Sequence, residues 1–428
     1  MTVLAVVGAQ WGDEGKGKFV DELSDRADFV VRYQGGANAG HRVVNGDDVF
    51  AFHLLPAGIL HPHTTCVIGN GVVVDPGALV KELREIERTG KPLGRLLISE
   101  RAHVVMPYHR ELDRLEEESR GEEKIGTVLR GIGPAYVDRV ARVGIRMTDM
   151  LDVDDFRAKL AQVLAQKNRM ITSIYGGHAM SLEEMHTEYV GYVQQLRQYV
   201  ADTTTVLQQA WTDGKRIVLE GAQGALLDVD FGTFPFVTSS NTVVGNASAG
   251  TGLPLRAIEH AMGVYKAYIT RVGSGPMPTE LSDNTGDALR AKGAEFGTTT
   301  GRARRCGWFD AVAGRYVARL NGFDSIAITK LDVLDEMETI RICTGYRLRG
   351  ETIGSPPANL SELAACQPIY EDWPGWKTST RAVRTWDALP DAAQRYLLRI
   401  EELLEVPIAL VSVGPGRGET LAVRDLPL

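Results

Sequence analysis

Residues 3–18 read VLAVVGAQWGDEGKGK, an apolar run that leads directly into a glycine-rich segment with charged side chains. The apolar residues 3–7 predict a buried strand, and a helix is expected to begin near Lys16. Glycines let backbone N–H groups approach an anion closely, and both the positive end of the helix and Lys16 favour negative charge. The stretch therefore predicts an α/β fold that carries a P-loop-like phosphate site.

Asp13 distinguishes this loop from an ordinary Walker A motif. Gly8 and Gly15 enclose more residues than that motif does, and Gly17 stands where a Mg²⁺-binding Ser or Thr would follow the lysine. Bound phosphates repel a carboxylate unless it holds Mg²⁺ or takes up a proton. Asp13 is therefore expected to be a metal ligand, a general base, or both.

The rest of the chain alternates between strand-like and helix-like patterns. Apolar, β-branched runs recur at 28–31, 67–74, 216–219, 325–329 and 407–413, and helical spacing is found at 77–90, 155–167, 183–212 and 391–404. This alternation predicts a central, mainly parallel sheet with helices on both faces. Ligands of such sheets bind at the carboxyl ends of strands, so the glycine-bearing turns there are expected to share one crevice. The Pro- and Gly-rich residues 344–390 are expected to form surface excursions.

Composition limits the possible partners. The 428 residues are 44% hydrophobic and 24% charged with a net charge of −8, which argues against a nucleic-acid-binding surface. No apolar run approaches the ~20 residues needed to span a membrane. The four cysteines are scattered, and the opening residues read as a core strand rather than a targeting peptide. We therefore expect a cytoplasmic protein that binds small anions.

Three further segments carry candidate chemistry. The turn 34–41 (QGGANAGH) ends in His41, whose imidazole can bond a phosphoryl oxygen or act as an acid. The segment 329–332 (TKLD) is typical of guanine recognition, because the Asp332 carboxylate can accept from the two donors that adenine lacks. The loop 298–305 (TTTGRARR) combines hydroxyls, a glycine and three guanidiniums, which suit a dicarboxylate or a nucleotide phosphate.

Together these segments resemble the adenylosuccinate synthetase family. The resemblance rests on the stretches GDEGKGK (12–18), RYQGGANAGH (32–41), RGIGPAYVDR (130–139), EGAQGALLD (220–228), FVTSSNT (236–242), TRVGSGP (270–276), TTTGRARRCGWFD (298–310) and TKLDVLD (329–335). It implies a homodimeric enzyme with one large domain over residues 1–428. It also implies the joining of IMP and L-aspartate at the expense of GTP, with Mg²⁺.

The resemblance also implies roles for individual residues. Catalysis would rest on Asp13, Lys16, His41 and Gln223, and Mg²⁺ would be held by Asp13 and the carbonyl of Gly40. The GTP site would comprise Gly12, Gly15, Lys16, Gly17, Gly40, His41, Arg42, Arg304, Lys330, Asp332, Ser412, Val413 and Gly414. The IMP site would comprise Asp13, Glu14, Gly15, Lys16, Asn38, Ala39, Gly40, His41, Val128, Gln223, Thr238, Val272, Arg302 and, from the other subunit, Arg142. The aspartate site would comprise Thr298, Thr299, Thr300, Gly301, Arg302 and Arg304.

The chain departs from the family pattern at a few of these positions. Val128 stands where a threonine usually bonds the IMP 5′-phosphate, and Leu129 follows it where the pattern has glycine or lysine. Arg42 replaces a small hydroxyl residue, Ala303 an arginine and Val413 a threonine. These departures leave open a divergent paralogue that uses a modified purine nucleotide or resists an IMP-mimicking inhibitor. A GTP-binding switch and an ATP-using amide ligase are the alternatives from other classes.

Overall fold

A computed structural model describes residues 2–45, 48–297 and 301–428 of the chain. Its strands are β1 (Thr2–Gly8), β2 (Phe29–Arg32), β3 (His41–Asn45), β4 (Asp48–Phe52), β5 (Thr65–Ile68), β6 (Val73–Val74), β7 (Arg95–Ser99), β8 (His103–Val104), β9 (Val200–Ala201), β10 (Arg216–Glu220), β11 (His260–Lys266), β12 (Ile269–Arg271), β13 (Arg305–Gly307), β14 (Phe309–Asp310), β15 (Ser325–Thr329), β16 (Thr339–Leu348), β17 (Glu351–Ile353), β18 (Gln367–Pro374), β19 (Ile408–Ser412) and β20 (Thr420–Ala422). Its α-helices are α1 (Lys16–Ser24), α2 (Pro76–Glu87), α3 (Pro107–Ser119), α4 (Ile132–Ala141), α5 (Val153–Arg169), α6 (Leu182–Leu196), α7 (Thr203–Thr212), α8 (Gly245–Thr251), α9 (Asn284–Lys292), α10 (Ala311–Asn321), α11 (Leu360–Ala365) and α12 (Asp391–Leu404).

The central sheet has the order β20-β19-β15-β11-β1-β10-β2-β5-β7-β9 within the described part of the chain. Every neighbouring pair in it is parallel except β19 with β20. The predicted α/β fold with a mainly parallel sheet is therefore confirmed. The strand at 3–7 and the helix that begins at Lys16 lie where the opening stretch predicts them.

Both faces of this sheet are buried, as the continuous apolar run of β1 requires. Leu4 and Val6 point into a large apolar cluster that includes α1, whereas Val3 and Ala5 point into a second cluster that includes Leu207 of α7. Successive side chains of a strand face opposite sides, so one strand contributes to both clusters. Helices consequently cover both faces of the sheet.

Two predicted elements are divided in the structure. The run 67–74 forms the end of β5 and the separate β6, because the intervening glycine Gly71 packs so closely on the Tyr33 backbone that a Cβ there would clash. The helical pattern at 183–212 is interrupted after α6 by β9, which pairs with β7, and α7 follows. Asp202 accepts a hydrogen bond from the Thr205 backbone N–H and caps α7. The prediction of one continuous helix there is wrong.

Residues 344–390 contain regular structure that the sequence reading missed. β16 pairs antiparallel with β17 and β18 and parallel with β14, which forms a smaller second sheet. Its inner face buries Cys343 and Tyr346 against Val312 of α10. No residue of β17 or β18 is buried, which agrees with the predicted surface excursions. The sequence reading missed the pairing of these strands into a sheet, because their apolar residues are few and separated by turn-forming residues.

The parallel strands bring the predicted functional turns to one edge of the central sheet. β1, β2, β10, β15 and β19 all run in the same direction, so the turns that follow Gly8, Arg32, Glu220, Thr329 and Ser412 lie at their carboxyl ends. Side chains from several of these turns are within hydrogen-bond distance of one another. This edge is the candidate functional site.

Candidate active site

The glycine-rich loop after β1 has the backbone shape that its sequence predicts. Gly12, Asp13 and Gly15 have φ values of 81°, 60° and 87°, and Gly15 caps the N-terminus of α1. The buried Glu14 carboxylate accepts hydrogen bonds from the backbone N–H groups of Gln10 (3.0 Å) and Gly12 (2.9 Å). Glu14 therefore holds the loop closed. The sequence alone does not show that Glu14 has this structural role while the neighbouring Asp13 does not.

Lys16 connects the loop to the turn after β10. Its Nζ donates to Glu14 Oε2 at 2.7 Å and to the backbone carbonyl of Gln223, and the side chain is buried. The Thr329 hydroxyl, at the end of β15, donates to the Glu14 carbonyl at 2.6 Å. The ammonium is thus held at a fixed place where the loop meets two other strand ends.

Asp13 lies beside Arg304 in the loop 298–305, which we call the arginine loop and of which the structure describes residues 301–305. Arg304 Nε is 2.9 Å from Asp13 Oδ2, and its Nη1 donates to Glu295 Oε2 at 2.6 Å. The Asp13 side chain keeps 29% of its surface exposed, whereas Glu295 is fully buried. This pair brings the glycine-rich loop after β1 (residues 9–15, the phosphate loop) into contact with the arginine loop, which the crevice predicted from the glycine-bearing turns did not include.

Glu295 anchors the arginine loop through a buried cluster of charges. Its carboxylate accepts from Lys266 Nζ at 2.9 Å and from the Tyr268 hydroxyl. Burial alone would raise the pKa of Glu295, but Lys266, Lys330 and Arg304 outweigh it and lower the pKa to about 2. Conversely, Asp13 and Glu295 raise the pKa of Arg304 against the effect of burial. The cluster keeps the Arg304 guanidinium oriented towards Asp13.

His41 forms a buried pair with Glu220, which the sequence reading did not include among the site residues. His41 Nδ1 bonds Glu220 Oε1, and Glu220 Oε2 accepts from the Ala57 backbone N–H at 2.9 Å. Burial lowers the pKa of His41, although Glu220 acts in the opposite direction. Burial acts to raise the pKa of Glu220, but His41 and the buried Arg32 outweigh it and the pKa is lowered. One feature of the sequence could have identified Glu220 as a site residue: it is a charged residue at the end of a buried strand.

Gln223, Asn38 and Thr238 are connected by hydrogen bonds. Gln223 Nε2 donates to Asn38 Oδ1 at 3.0 Å, and Asn38 Nδ2 donates to Thr238 Oγ1 at 3.3 Å. No donor from the described residues reaches Gln223 Oε1, although this oxygen is buried. A Cβ on Gly35, whose φ is 82°, would come within 3.0 Å of that oxygen. Three residues far apart in sequence therefore form one polar wall.

The candidate guanine site lies at the ends of β15 and β19. Lys330 has a φ of 62°, and its Nζ donates to the Gly293 carbonyl at 2.6 Å. Asp332 Oδ1 is buried, and within the described segments no hydrogen-bond donor reaches it. Burial raises the pKa of the Asp332 carboxyl. Across the site, the Ser412 hydroxyl donates to the Gly414 carbonyl at 2.8 Å, and the backbone N–H of the buried Val413 donates to the Glu419 carbonyl.

The loop that contains Val128 packs near the Val272 turn. Thr127 uses its hydroxyl to bond Asp113 at 2.8 Å, and Val128 is half-buried next to it. Arg302 Nη1 donates to the Gly126 carbonyl at 3.2 Å, so the arginine loop reaches this segment as well. The Thr127 hydroxyl is consequently already engaged, and Val128 itself offers no donor.

Some predicted site residues cannot be placed with the others. Thr298, Thr299 and Thr300 and the Arg42 side chain lie outside what the structure describes. Arg142 caps the C-terminus of α4 with a φ of 63° and is exposed, and no described residue forms an ion pair or hydrogen bond with its side chain. Gly40 and Ala39 lie in the turn after β2, and Gly17 is the second residue of α1, whereas Gly301 is exposed in the arginine loop.

The geometry agrees with comparisons to known proteins. A family model described as adenylosuccinate synthetase matches residues 5–421. The adenylosuccinate synthetase of Heliobacterium modesticaldum is 54% identical over 425 residues, which cover 99% of this chain and 100% of that protein. The chain belongs to the adenylosuccinate synthetase family. The resemblance inferred from the motifs is thereby confirmed, and the chain is an enzyme, a GTP-dependent ligase of purine biosynthesis.

Solved structures give the same result for the fold. A fully ligated adenylosuccinate synthetase from Plasmodium falciparum superposes with a TM-score of 0.94 at 37% identity, covering 99% of this chain and 100% of that chain. The succinoaminodeoxyadenylate synthetase of cyanophage S-2L is similar in fold alone, with a TM-score of 0.63 at 19% identity over 99% of this chain and 96% of that chain. The divergent-paralogue alternative is not favoured. No helix in the described part of the chain is long and apolar enough to cross a membrane.

Proposed function

We propose that this chain joins IMP to L-aspartate through a 6-phosphoryl-IMP intermediate formed from GTP, with the named side chains at the sheet edge as its machinery. The observation that carries the proposal is at Gln223. Its backbone carbonyl binds Lys16 of the phosphate loop, while its side chain binds Asn38 of the polar wall. One residue therefore connects a nucleotide-phosphate site to a pocket with an unpartnered buried amide oxygen, which suits a purine base.

In the first step, Asp13 removes the N1 proton of the hypoxanthine ring, and the 6-oxygen attacks the γ-phosphorus of GTP. The bond to the β–γ bridging oxygen breaks, and GDP leaves. Lys16 and His41 stabilise the charge that develops on the transferring phosphoryl group. Support comes from the partial exposure of the Asp13 carboxylate among otherwise buried charges and from the rigid hold on Lys16. Glu14 and the glycines Gly12, Gly15 and Gly17 shape the loop around both nucleotides.

Mg²⁺ fits the oxygen donors proposed for it. The Asp13 carboxylate and the Gly40 carbonyl are hard oxygen ligands, and Mg²⁺ commonly takes only one or two protein oxygens when phosphates supply the rest. When bound, the ion would neutralise charge on the phosphate oxygens. Asp13 is available for this because part of its carboxylate remains exposed beside Arg304.

In the second step, the uncharged amine of aspartate attacks carbon 6 of the intermediate, and the bond from that carbon to the phosphate oxygen breaks. The leaving phosphate takes up the proton that the nitrogen loses. Holding the dicarboxylate in place requires cations and hydroxyls, which the residues 298–302 supply in sequence. Arg302 contacts the Val128 loop, and Arg304 lies beside Asp13, so the arginine loop spans the distance from the proposed IMP phosphate end to the phosphoryl-transfer end. We assign Arg302 to the aspartate carboxylate and Arg304 to GTP.

Guanine is proposed to bind between Lys330, Asp332 and the turn 412–414. The buried Asp332 Oδ1 has no partner among the described residues, and guanine N1–H and its amino group would supply two donors. An unpaired buried acceptor costs free energy, which a bound guanine would recover. Adenine cannot provide this pair, so the site favours GTP over ATP.

The IMP 5′-phosphate is proposed to need a second copy of the chain. Arg142 is exposed, and Val137 and Val140 on the same helix are 64% and 79% exposed. Exposed apolar side chains on one face of α4 favour burial of that face against another protein surface. A homodimer would bury it and would supply Arg142 in trans. Val128, Val272, Thr238 and Ala39 would line the ribose and phosphate side. We further propose that residues 1–428 act as one domain and that the enzyme is cytoplasmic.

The test is phosphate release and mass detection of the succinylated nucleotide with GTP, Mg²⁺, L-aspartate and IMP. We expect product only when all substrates are present, with dGMP and inosine as acceptor controls. The Asp13→Asn variant should lose product formation, whereas Asp154→Asn at the exposed start of α5 should retain it. GTP hydrolysis that does not depend on aspartate or IMP would instead support a GTP-binding switch and overturn the proposal.

A further inference from the structure

Lys18 is a buried lysine that the reaction described above does not use. It lies in the first turn of α1, one step beyond the phosphate loop, and its Nζ donates to Ser412 Oγ at 2.6 Å, to the Gly414 carbonyl at 2.8 Å and to the Glu419 carbonyl at 3.0 Å. An ammonium has three hydrogens, and these contacts use all of them. All three N–H groups of Lys18 are therefore hydrogen-bonded to the same turn and its two flanking residues.

That turn is the part of the proposed guanine site contributed by β19. Ser412 and Glu419 flank the turn 413–418 and Gly414 lies within it. The Gly416 backbone N–H donates to Glu419 Oε2 at 2.7 Å. A strand-end turn with several glycines has many accessible conformations, so its ordering needs contacts from outside the turn. Lys18 supplies them from a rigid helix.

A buried ammonium is costly unless its hydrogen bonds are satisfied. Burial lowers the pKa of Lys18 to about 8, although Glu22, Glu419 and Asp332 act in the opposite direction. The nearest carboxylate oxygen, Glu22 Oε1, is 3.9 Å away, outside hydrogen-bond distance. Neutral oxygens of the turn, rather than a counter-ion, are thus the direct partners of the charge, and an apolar side chain would avoid this cost if only packing were needed.

We infer that Lys18 is a positioning residue for guanine. It holds the turn 413–418 at a fixed distance from the phosphate loop, so that α1 sets the spacing between the two ends of bound GTP. The inference rests on the proposed function, because it needs guanine at the 412–414 turn. Lys16 and Lys18 lie on the same turn of helix, and Lys16 fixes the phosphate end through Gln223. Helix α1 therefore fixes the distance between the phosphate site and the proposed guanine site.

The experiment compares steady-state kinetics of Lys18→Met with those of the wild type. Methionine keeps an unbranched side chain of similar length but removes all three donors. We expect KM for GTP to rise about ten- to a hundredfold, as for loss of charge-assisted hydrogen bonds, and the preference for GTP over ATP to fall. The KM values for IMP and aspartate, and kcat at saturating GTP, should stay within about twofold of the wild type, since the phosphoryl-transfer groups are untouched.

Two controls make the result decisive. Lys81→Met changes an exposed lysine of α2 and should leave every constant unchanged. Thermal unfolding of Lys18→Met separates destabilisation from positioning: a lower Tm with an unchanged KM for GTP would overturn the inference. A fall in kcat at saturating GTP with an unchanged KM would overturn it as well, because it would place Lys18 in the chemical step.

Asp332→Asn tests the proposed guanine site separately. If this variant keeps the wild-type KM for GTP and its preference over ATP, the guanine site itself is misplaced and the proposed function fails at that point. If Asp332→Asn loses the preference while Lys18→Met does not, the guanine site stands and the positioning role of Lys18 is wrong. Loss of GTP affinity in both variants supports the inference.

Discussion

The Glu220→Gln substitution should slow phosphoryl transfer by weakening the charged form of His41. Glutamine keeps the shape of the side chain but removes the negative charge that faces His41 Nδ1. Burial already lowers the pKa of His41, and Lys16 and Arg32 lower it further, whereas Glu220 alone among the main influences raises it. Without that carboxylate, the imidazolium proposed to bond the moving phosphoryl group becomes harder to form.

The size of the effect follows from the kind of contact that is lost. A hydrogen bond to a charged group contributes about 1.5–3 kcal/mol. Each 1.36 kcal/mol corresponds to about tenfold in rate, so kcat should fall roughly ten- to more than a hundredfold. The KM values for GTP and aspartate should change little, because the interaction strengthens in the transition state rather than in the bound substrates.

The assay is the pH dependence of kcat with saturating substrates. Because the pKa of His41 falls in the variant, the loss of rate on raising the pH should begin at a lower pH than in the wild type. Asp310→Asn serves as a matched control, since Asp310 is also a buried carboxylate but bonds Tyr346 and the start of α10. An unchanged pH profile in Glu220→Gln, or an equal loss of kcat in Asp310→Asn, would refute the role given to Glu220.

Three other perturbations have defined outcomes. Mixing inactive Arg142→Ala with inactive Asp13→Asn should restore activity, because one site of the mixed dimer receives both intact residues; continued inactivity of a dimer verified by sedimentation would contradict the placement of Arg142 in trans. Val128→Thr should lower KM for IMP by up to about tenfold through a new donor to the 5′-phosphate, and unchanged IMP kinetics would show that the phosphate lies elsewhere. Glu295→Gln should lower the free energy of unfolding by about 3–5 kcal/mol near neutral pH, because Lys266 and Arg304 lose their buried partner. The pKa of Glu295 is about 2, below its ordinary 4.5, so its stabilisation is present above that ordinary value and lost as the pH falls towards 2; urea unfolding should therefore show the variant and wild type converging over this range.

The sequence predicted the strand and loop that start the chain because the physical requirements there are local. A continuous apolar run needs burial on both faces, and glycines at Gly12 and Gly15 permit the left-handed backbone that a phosphate loop uses. The same holds for α12, whose apolar spacing over 391–404 matches the structure residue for residue. Long, strongly periodic segments of this kind depend little on distant contacts.

The residues that sequence reading missed depend on distant contacts. Glu220 ends a strand whose sequence indicates only a structural role. The role proposed for Glu220 follows from its contact with His41, which is far away in the chain. β9 is only two residues long and is a strand because it pairs with the edge of β7. Propensity and periodicity carry no information about such pairings, so these features become visible only when the topology is known.

The cations of the site are already paired with carboxylates in the absence of substrate. This pairing affects both the orientation of the cations and the strength of substrate binding. Lys16 pairs with Glu14, and Arg304 lies between Asp13 and Glu295. Buried cations held this way are oriented before substrate arrives, so little reorganisation is needed when charge develops on the phosphoryl group. The carboxylates also compete with substrate phosphates for the same cations, which weakens ground-state binding. We propose that substrate draws Asp13 away from Arg304 without releasing the arginine loop, because Glu295 keeps its own bond to Arg304. Asp13, the proposed base, would then be freed only when the nucleotide is in place.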